Sequence, residues 1–359
     1  MHDMFLRNLY LDIYGGSHDP AIGVRADGLP AGEAVDFAEL QKFLARRAPG
    51  STRYGTQRKE ADEPHFLSGI TDGRTDGSRL EAVIYNTNQR SGDYPAVPDV
   101  PRPSHADYAA IVKYNGAVDL RGGGHFSARL TAPLCIAGGI ALQILARRGI
   151  RIAAHIASVG DVSDTRFDPL TVSAADFDAL AARDFPTIDA DAADRMRTLI
   201  DEVRLSCDSV GAVLECAVIG LPVGLGEHMF WGMENRISHV MFGIPALKGI
   251  EFGAGFAIAK MRGSEANDPF ATDGKRIFTT KNNSGGIQGG MTNGMPLIFR
   301  GALKPTPTIA LEQDSVSLSR MENTKIAMGG RHDPCVAVRA VPVFEAAAAL
   351  AVLDALLDA

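Results

Sequence analysis

The sequence predicts an α+β fold. Three observations lead there: segments of period-2 and period-3.6 hydrophobicity mix without a regular βαβ rhythm, the longest helical pattern is apolar on every side, and no nucleotide-type glycine loop marks a doubly wound sheet. Hydrophobic residues at 45% and charged residues at 22% of a 359-residue chain are ordinary globular values. That length admits two ordinary domains or one large one. No linker, repeat or low-complexity stretch divides it.

Leu9, Leu11 and Ile13 alternate with Tyr10, Asp12 and Tyr14, a strand pattern that runs into the turn Gly15-Gly16-Ser17-His18. Asp36 and Glu39 form a capping box ahead of a helix with Phe37, Leu40, Phe43 and Leu44 on one face. Pro49-Gly50 ends it, and Arg46 and Arg47 complement the dipole in its last turn. A strand is predicted at 80–86, followed by a polar stretch, 86–99, of the long kind that often carries function. Ser104 reads as the N-cap of a short helix over 107–113, with His105 in its first turn at the positive helix end. Beyond the triple glycine at 122–124, Ser127 opens a helix of about twenty residues, and its all-round apolar character predicts a core helix. Residues 151–222 read as a strand, helices capped by Ser173 and Asp189, and a strand with Val210, Ala212, Leu214, Cys216 and Val218 on one face, without concentrated chemistry. Residues 262–294 read as loop, followed by a strand at 297–303 and a C-terminal helix from about Val343.

With 36 Lys and Arg against 43 Asp and Glu, the net charge of −7 gives no global positive field for nucleic acid or anionic membrane, so any anion site is local. The N-terminus shows no apolar leader and the apolar runs at 132–142 and 346–353 are shorter than a membrane span, which predicts a cytoplasmic chain with no membrane partner. Cys135, Cys207, Cys216 and Cys335 lie far apart, which argues against a disulfide framework or a zinc knuckle, and no metal site is expected. The P-loop and Rossmann patterns are absent. The 38 glycines gather instead in polar loops beside Arg and His, as in Arg121-Gly-Gly-Gly-His125 and Gly329-Gly330-Arg331-His332. Such loops are either anion-binding nests or plain turns. Among nine histidines, His18 and His105 sit at element ends beside Ser and Asp, where a proton donor to an anionic leaving group can be held. Asp333 is either a solvated turn carboxylate or one side of a buried acid–base set. The residues alone therefore describe an enzyme or binder for phosphorylated anions, built from loops distant in sequence.

Eight segments sharpen this reading: GSH at 16–18, RRAPGSTRYGTQRKE at 46–60, NTNQRSGDY at 86–94, RPSHADY at 102–108, RGGGHFSAR at 121–129, NNSGGIQGGMTNG at 282–294, ALKPT at 302–306 and GRHDPCVAVRAVP at 330–342. Together, in order and spacing, they resemble the chorismate synthase family, with 150–225 contributing least. The resemblance implies a β-α-β sandwich in a single domain over 1–359, assembled as a homotetramer. It implies a lyase of the shikimate pathway, and so of aromatic amino acid biosynthesis. Its substrate would be 5-enolpyruvylshikimate 3-phosphate, converted to chorismate and phosphate by 1,4-anti-elimination with reduced FMN and no net redox change.

On the same resemblance His18 protonates the departing phosphate, His105 adjusts the protonation of the reduced flavin, and Asp333 helps to remove the C6 proton. FMN is held by His125, Phe126 and Ser127, by Pro245 and Ala246, by Gly289, and by Lys304, Pro305, Thr306, Pro307 and Thr308. Ser17, Arg47, Arg53 and Arg129 meet the substrate, and Arg331 is shared by substrate and flavin. In bifunctional members Arg47 and Arg53 meet a nicotinamide reductant, NADP. Gly16, Asp19, Ala48, His125, Phe126, Leu130, Pro245 and Asn283 depart from the usual motif residues. The alternative is a non-catalytic paralogue that binds a flavin or phosphometabolite as a regulatory or assembly subunit. Its mark would be loss of His18, His105 or Asp333, and all three are present.

Overall fold

Two antiparallel five-stranded sheets stand on either side of a helical layer in the computed structural model, which describes residues 3–50, 61–86, 97–328 and 333–359. The first sheet holds β1 (Met4–Phe5), β2 (Tyr10–Tyr14), β3 (Ala21–Asp27), β4 (His65–Ser68) and β5 (Leu80–Tyr85), in the order β1-β2-β3-β5-β4. The second holds β6 (Arg151–Val159), β7 (Val162–Ser163), β8 (Ala212–Ile219), β9 (Leu247–Phe252) and β10 (Leu297–Leu303), in the order β9-β10-β8-β6-β7. The principal helices are α1 (Phe37–Arg47), α2 (Asp107–Lys113), α3 (Thr131–Arg147), α4 (Ala174–Ala181), α5 (Ala190–Leu205), α6 (Met233–Met241) and α7 (Ala337–Leu356). In the middle layer α3 lies against β3 and β5, α7 lies against β6 and β8, and the two helices pack on each other.

The α3–α7 contact is close because of what the sequence omits there. A Cβ on Gly138 would lie 2.6 Å from the Cα of Ala346, inside van der Waals contact, so glycine on one helix faces the alanine run of the other. Residues 128–147 are long and apolar enough to cross a membrane, yet 89% of that window is buried within the fold, as the core-helix reading predicts. Two carboxylates interrupt α7, and both are satisfied. Glu345 pairs with Arg46 at 2.6 Å and accepts the Ala154 N–H, tying α1 and β6 to the core. Asp354 accepts backbone N–H groups of Asn8 and Leu9 and pairs with the buried Arg236, tying the N-terminal segment and α6. A buried charge is tolerated only when it is paired in this way.

Local signals held well. Asp36 accepts the Glu39 N–H, Ser173 bonds the Asp176 carboxylate, and Asp189 accepts the Asp191 N–H. Four expectations need correction. The C-terminal helix starts at Ala337, ahead of Val343; Pro342 lies inside it, and burial carries the helix past the missing hydrogen bond. Residues 262–294 contain short hairpins, pairing Phe270–Thr272 with Ile277–Thr279 and Ile287–Gln288 with Met291–Thr292. Ser104 does not cap α2: Ala106 occupies the cap position, Ser104 has φ +56°, and His105 precedes the helix.

The fourth correction concerns 151–222, expected to be chemically plain. His155 on β6 is fully buried and bonded at both ring nitrogens, Nδ1 to Asp164 and Nε2 to Glu215, each at 3.0 Å. Arg300 continues the chain of charges to Glu215 and Glu251 at 3.3 and 2.6 Å. Burial alone would lower the imidazole pKa, but the two carboxylates outweigh it and raise it. The four cysteines are free, three of them buried.

Candidate active site

The site is assembled on the glycine turn at 122–124, at the end of the first sheet. All three glycines have positive φ (58°, 98° and 52°), a run that L side chains rarely adopt. The turn grips the loop between β2 and β3: the Ser17 N–H donates to Gly124 O, and Ser17 Oγ donates to Arg121 O, both at 3.1 Å. His18 is 5% exposed, and its ring lies directly over Gly122. A Cβ at 122 would overlap His18 Cε1 and sit 2.6 Å from Nδ1, so only glycine permits this seat. Asn86, just beyond β5, holds the far side of the loop through Asp19 O at 2.8 Å.

His105 reaches the same turn at the next glycine, Gly123. A Cβ on Gly123 would lie 3.5 Å from His105 Nε2 and 3.3 Å from Ser127 Cβ, which puts that ring nitrogen at the corner where the turn meets the 127–131 segment. His105 Nδ1 is 2.7 Å from Asp107, whose carboxylate is also held by Arg102 through two 2.7 Å bonds. Burial raises the Asp107 pKa, but the Arg102 and His105 hydrogen bonds outweigh it and hold the carboxyl well below its ordinary range. Ser127 Oγ accepts the Arg129 N–H at 3.3 Å and opens the turn that leads into α3.

Beneath this corner lies a buried cluster of charge. Asp62 bridges Arg47, at 2.6 Å, and Arg129. Its burial would raise its pKa, and the two guanidinium groups reverse that and lower it. Arg47, in the last turn of α1, is 1% exposed, with Asp62, Thr131 Oγ1 and Ala128 O as its partners. Arg129 also reaches Asn86. Asp333 is tied to the same cluster: it pairs with Arg339 at 2.6 Å, and Arg339 Nε donates to Arg47 O at 3.1 Å.

The second sheet contributes Lys304, at the end of β10. Its ammonium donates to Ser104 O at 3.0 Å, next to His105, and its N–H bonds Ala246 O at 2.9 Å, bringing the Pro245-Ala246 corner alongside. Burial, with Lys248 nearby, lowers the Lys304 pKa. Thr308 is buried, and Thr306 Oγ1 is buried with no hydrogen-bond partner among the described residues. Pro305 packs beside Gly211, and Pro307 continues the same segment. On the outer side a cleft of about 380 Å³ is lined by Gly16, His18, Asp19, Tyr114, Arg121, His125 and Phe126, with His125 Nδ1 3.0 Å from Gly15 O.

Gly289 lies in a hairpin that packs through Gly290 on Glu227 and Gly232, and a Cβ added to it would meet open space. Arg53, Arg331 and His332 lie outside the described residues. Sequence reasoning missed Asp107, Asp62 and Arg339. The His-x-Asp spacing of 105–107 was a usable signal for the first; nothing local marks the other two. The assembled corner combines two imidazoles, a bare glycine turn and buried arginines, a set suited to binding an anion and moving a proton at it.

Comparison with known proteins gives a consistent result. The family model described as chorismate synthase matches residues 9–357. A chorismate synthase of Lancefieldella parvula is 46% identical over 99% of this chain and 96% of its own length. Those of Parabacteroides distasonis (46%, covering 98% and 96%) and Thermococcus gammatolerans (43%, covering 97% and 96%) are similarly close. A solved structure titled as a crystal structure of chorismate synthase superposes with a TM-score of 0.77 at 28% identity, covering 99% of this chain and 93% of that one.

Proposed function

The chain belongs to the chorismate synthase family and is a lyase, and we propose that it converts 5-enolpyruvylshikimate 3-phosphate to chorismate and phosphate by 1,4-anti-elimination at the 122–124 turn. The observation that carries this is the seating of His18 and His105 against successive glycines of one turn, in a chain alike to chorismate synthases from end to end. The non-catalytic alternative loses its footing, because the relatives named as the enzyme cover nearly the whole chain.

In this reading His18 holds a proton for the oxygen of the phosphate as its bond to C3 breaks, and Asp333, oriented by Arg339, assists removal of the C6 proton. Ser17, Arg129, Arg53 and Arg331 receive the anionic groups of the substrate, for which the planar guanidinium is suited. Arg47 supports them from behind by holding Asp62 and the 128–129 backbone.

Reduced FMN fits the donor set. The buried Thr306 hydroxyl without a described partner, the bare Cα of Gly123 between His105 Nε2 and Ser127, and the Lys304 ammonium beside His105 offer hydrogen bonds and charge to a flat, phosphate-bearing cofactor. Its holders would be 125–127, Pro245, Ala246, Gly289, 304–308 and Arg331. When bound, reduced FMN supplies electron density to the allylic system as phosphate leaves and recovers it with the departing hydrogen. From the Gly123 corner His105 would adjust the protonation of the reduced flavin.

A homotetramer is the assembly we propose, supported by the apolar side chains left exposed at Phe230 (78%), Phe256 (83%) and Ile277 (72%). One hydrophobic cluster running from Leu6 to Ala355 supports a single domain, and four free cysteines support a cytoplasmic setting. An anaerobic assay with dithionite-reduced FMN and the phosphorylated substrate tests the function. Chorismate and phosphate are expected in equal amounts. No turnover with excess reduced FMN overturns it.

A further inference from the structure

Asp107 has no proton-transfer role of its own in the reading above, yet its surroundings are organised around His105. Its side chain is fully buried and receives four donors on two oxygens: His105 Nδ1 and an Arg102 terminal nitrogen on Oδ1, Arg102 Nε and the Arg102 backbone N–H on Oδ2. A carboxylate held in this way cannot swing. It is also kept ionised, hence an acceptor only, so the donor in the 2.7 Å contact is the Nδ1–H of His105. In the neutral ring the lone pair is then on Nε2, the nitrogen that faces Gly123 and Ser127.

The backbone is bent to make this contact. Ser104 takes the left-handed conformation, φ +56°, which turns His105 back toward a side chain two residues ahead, and Lys304 clasps the Ser104 carbonyl at 3.0 Å. A solvated loop would not hold a serine there. We propose that Asp107 is the positioning residue of His105: it fixes the Nδ1–H tautomer and aims Nε2 at the Gly123–Ser127 corner, with Arg102 locking the carboxylate from its far side. The consequence for function rests on the reading above that His105 acts at that corner; the tautomer itself does not.

The test uses the full chain with ¹⁵N-labelled histidine, and His105 is assigned by the resonance lost in His105→Gln. At a pH where the ring is neutral, Nδ1 is expected to be protonated and Nε2 to be the bare, pyridine-like nitrogen. In Asp107→Asn the amide can donate to Nδ1, and the Nε2–H tautomer is expected to appear. kcat should fall by on the order of 10² to 10⁴ with little change in KM, the scale for a mis-set imidazole, and Asp107→Glu should restore part of it. The proposal is overturned if the wild-type ring carries its proton on Nε2, or if Asp107→Asn leaves the tautomer unchanged and activity falls only with the folded fraction. Should Asp107→Asn fail to fold, the wild-type tautomer and Asp107→Glu decide. A tautomer switch in a chain that never turns over substrate would leave the positioning intact and remove the catalytic reading instead.

Discussion

His105 and His155 lean on a buried aspartate in the same way, through Nδ1 at 2.7 and 3.0 Å. They differ at the other nitrogen. Nε2 of His155 is taken by Glu215, and the residue is sealed between β6, β8 and the 164–167 segment. Nε2 of His105 faces a bare glycine at the end of the first sheet. The imidazole with the raised pKa is thus the structural one. A perturbed histidine marks a site only when part of it is left for a ligand, because a ring bonded on both sides has nothing further to give.

This contrast can be broken by mutation. His18→Ala, at the open turn, is expected to lower kcat by on the order of 10² to 10⁴, about 3 to 5 kcal/mol of barrier, while the thermal midpoint stays close to wild type. Anaerobic steady-state rates beside a melting curve decide it; an unchanged rate would return His18 to the packing residues. His155→Ala should do the reverse. Removing one member of a buried ion network costs about 3 to 5 kcal/mol of stability, read by denaturant unfolding, with the rate per folded molecule unaltered. A loss of rate at full stability would mean that the second sheet takes part in the chemistry.

Gly122→Ala sharpens the picture between these extremes. The added methyl meets the His18 ring at a residue whose φ is +58°, so a strain of about 1 to 3 kcal/mol is expected. Its signature should be a lower kcat beyond any loss of folded protein, since His18 is what must move. Equal rates per folded molecule would show that His18 can shift without consequence.

The smallest effect is in pH. His155 has a raised pKa in the folded state, so its contribution to stability is complete below the unfolded value near 6.5 and fades as pH rises through the folded value. Asp164 and Glu215 are lowered, so theirs is present above about pH 4 and fades as pH falls through their folded values. The difference in unfolding free energy between wild type and His155→Gln should therefore be widest at mildly acidic pH and narrow toward alkaline pH. A difference that grows with pH would reverse the assignment of charge in this network.

Much of this was readable before any coordinates. The caps at Asp36, Ser173 and Asp189 depend on neighbours a few residues away, and the apolar character of 131–147 dictates burial wherever the helix lies. The motif histidines were visible too, because glycine, serine and aspartate beside a histidine are short-range information. Ser104 failed as a cap for the opposite reason: its conformation answers to Lys304, two hundred positions away, and to the turn of His105 toward Asp107.

The sequence by itself determined the α+β class, the family resemblance, the core helix and the residues able to move a proton, since each follows from local pattern or from motifs in order. The tertiary structure alone decided which charges meet. It buried Arg47 on Asp62 at the end of α1, placed Arg339 against Asp333, and joined His155, Asp164, Glu215 and Arg300 across three strands and a loop. Period and propensity describe a residue's relation to its own segment. The pairing of buried charges is set by which segments come to share a low-dielectric interior, and that is fixed only when the sheets close over the helices.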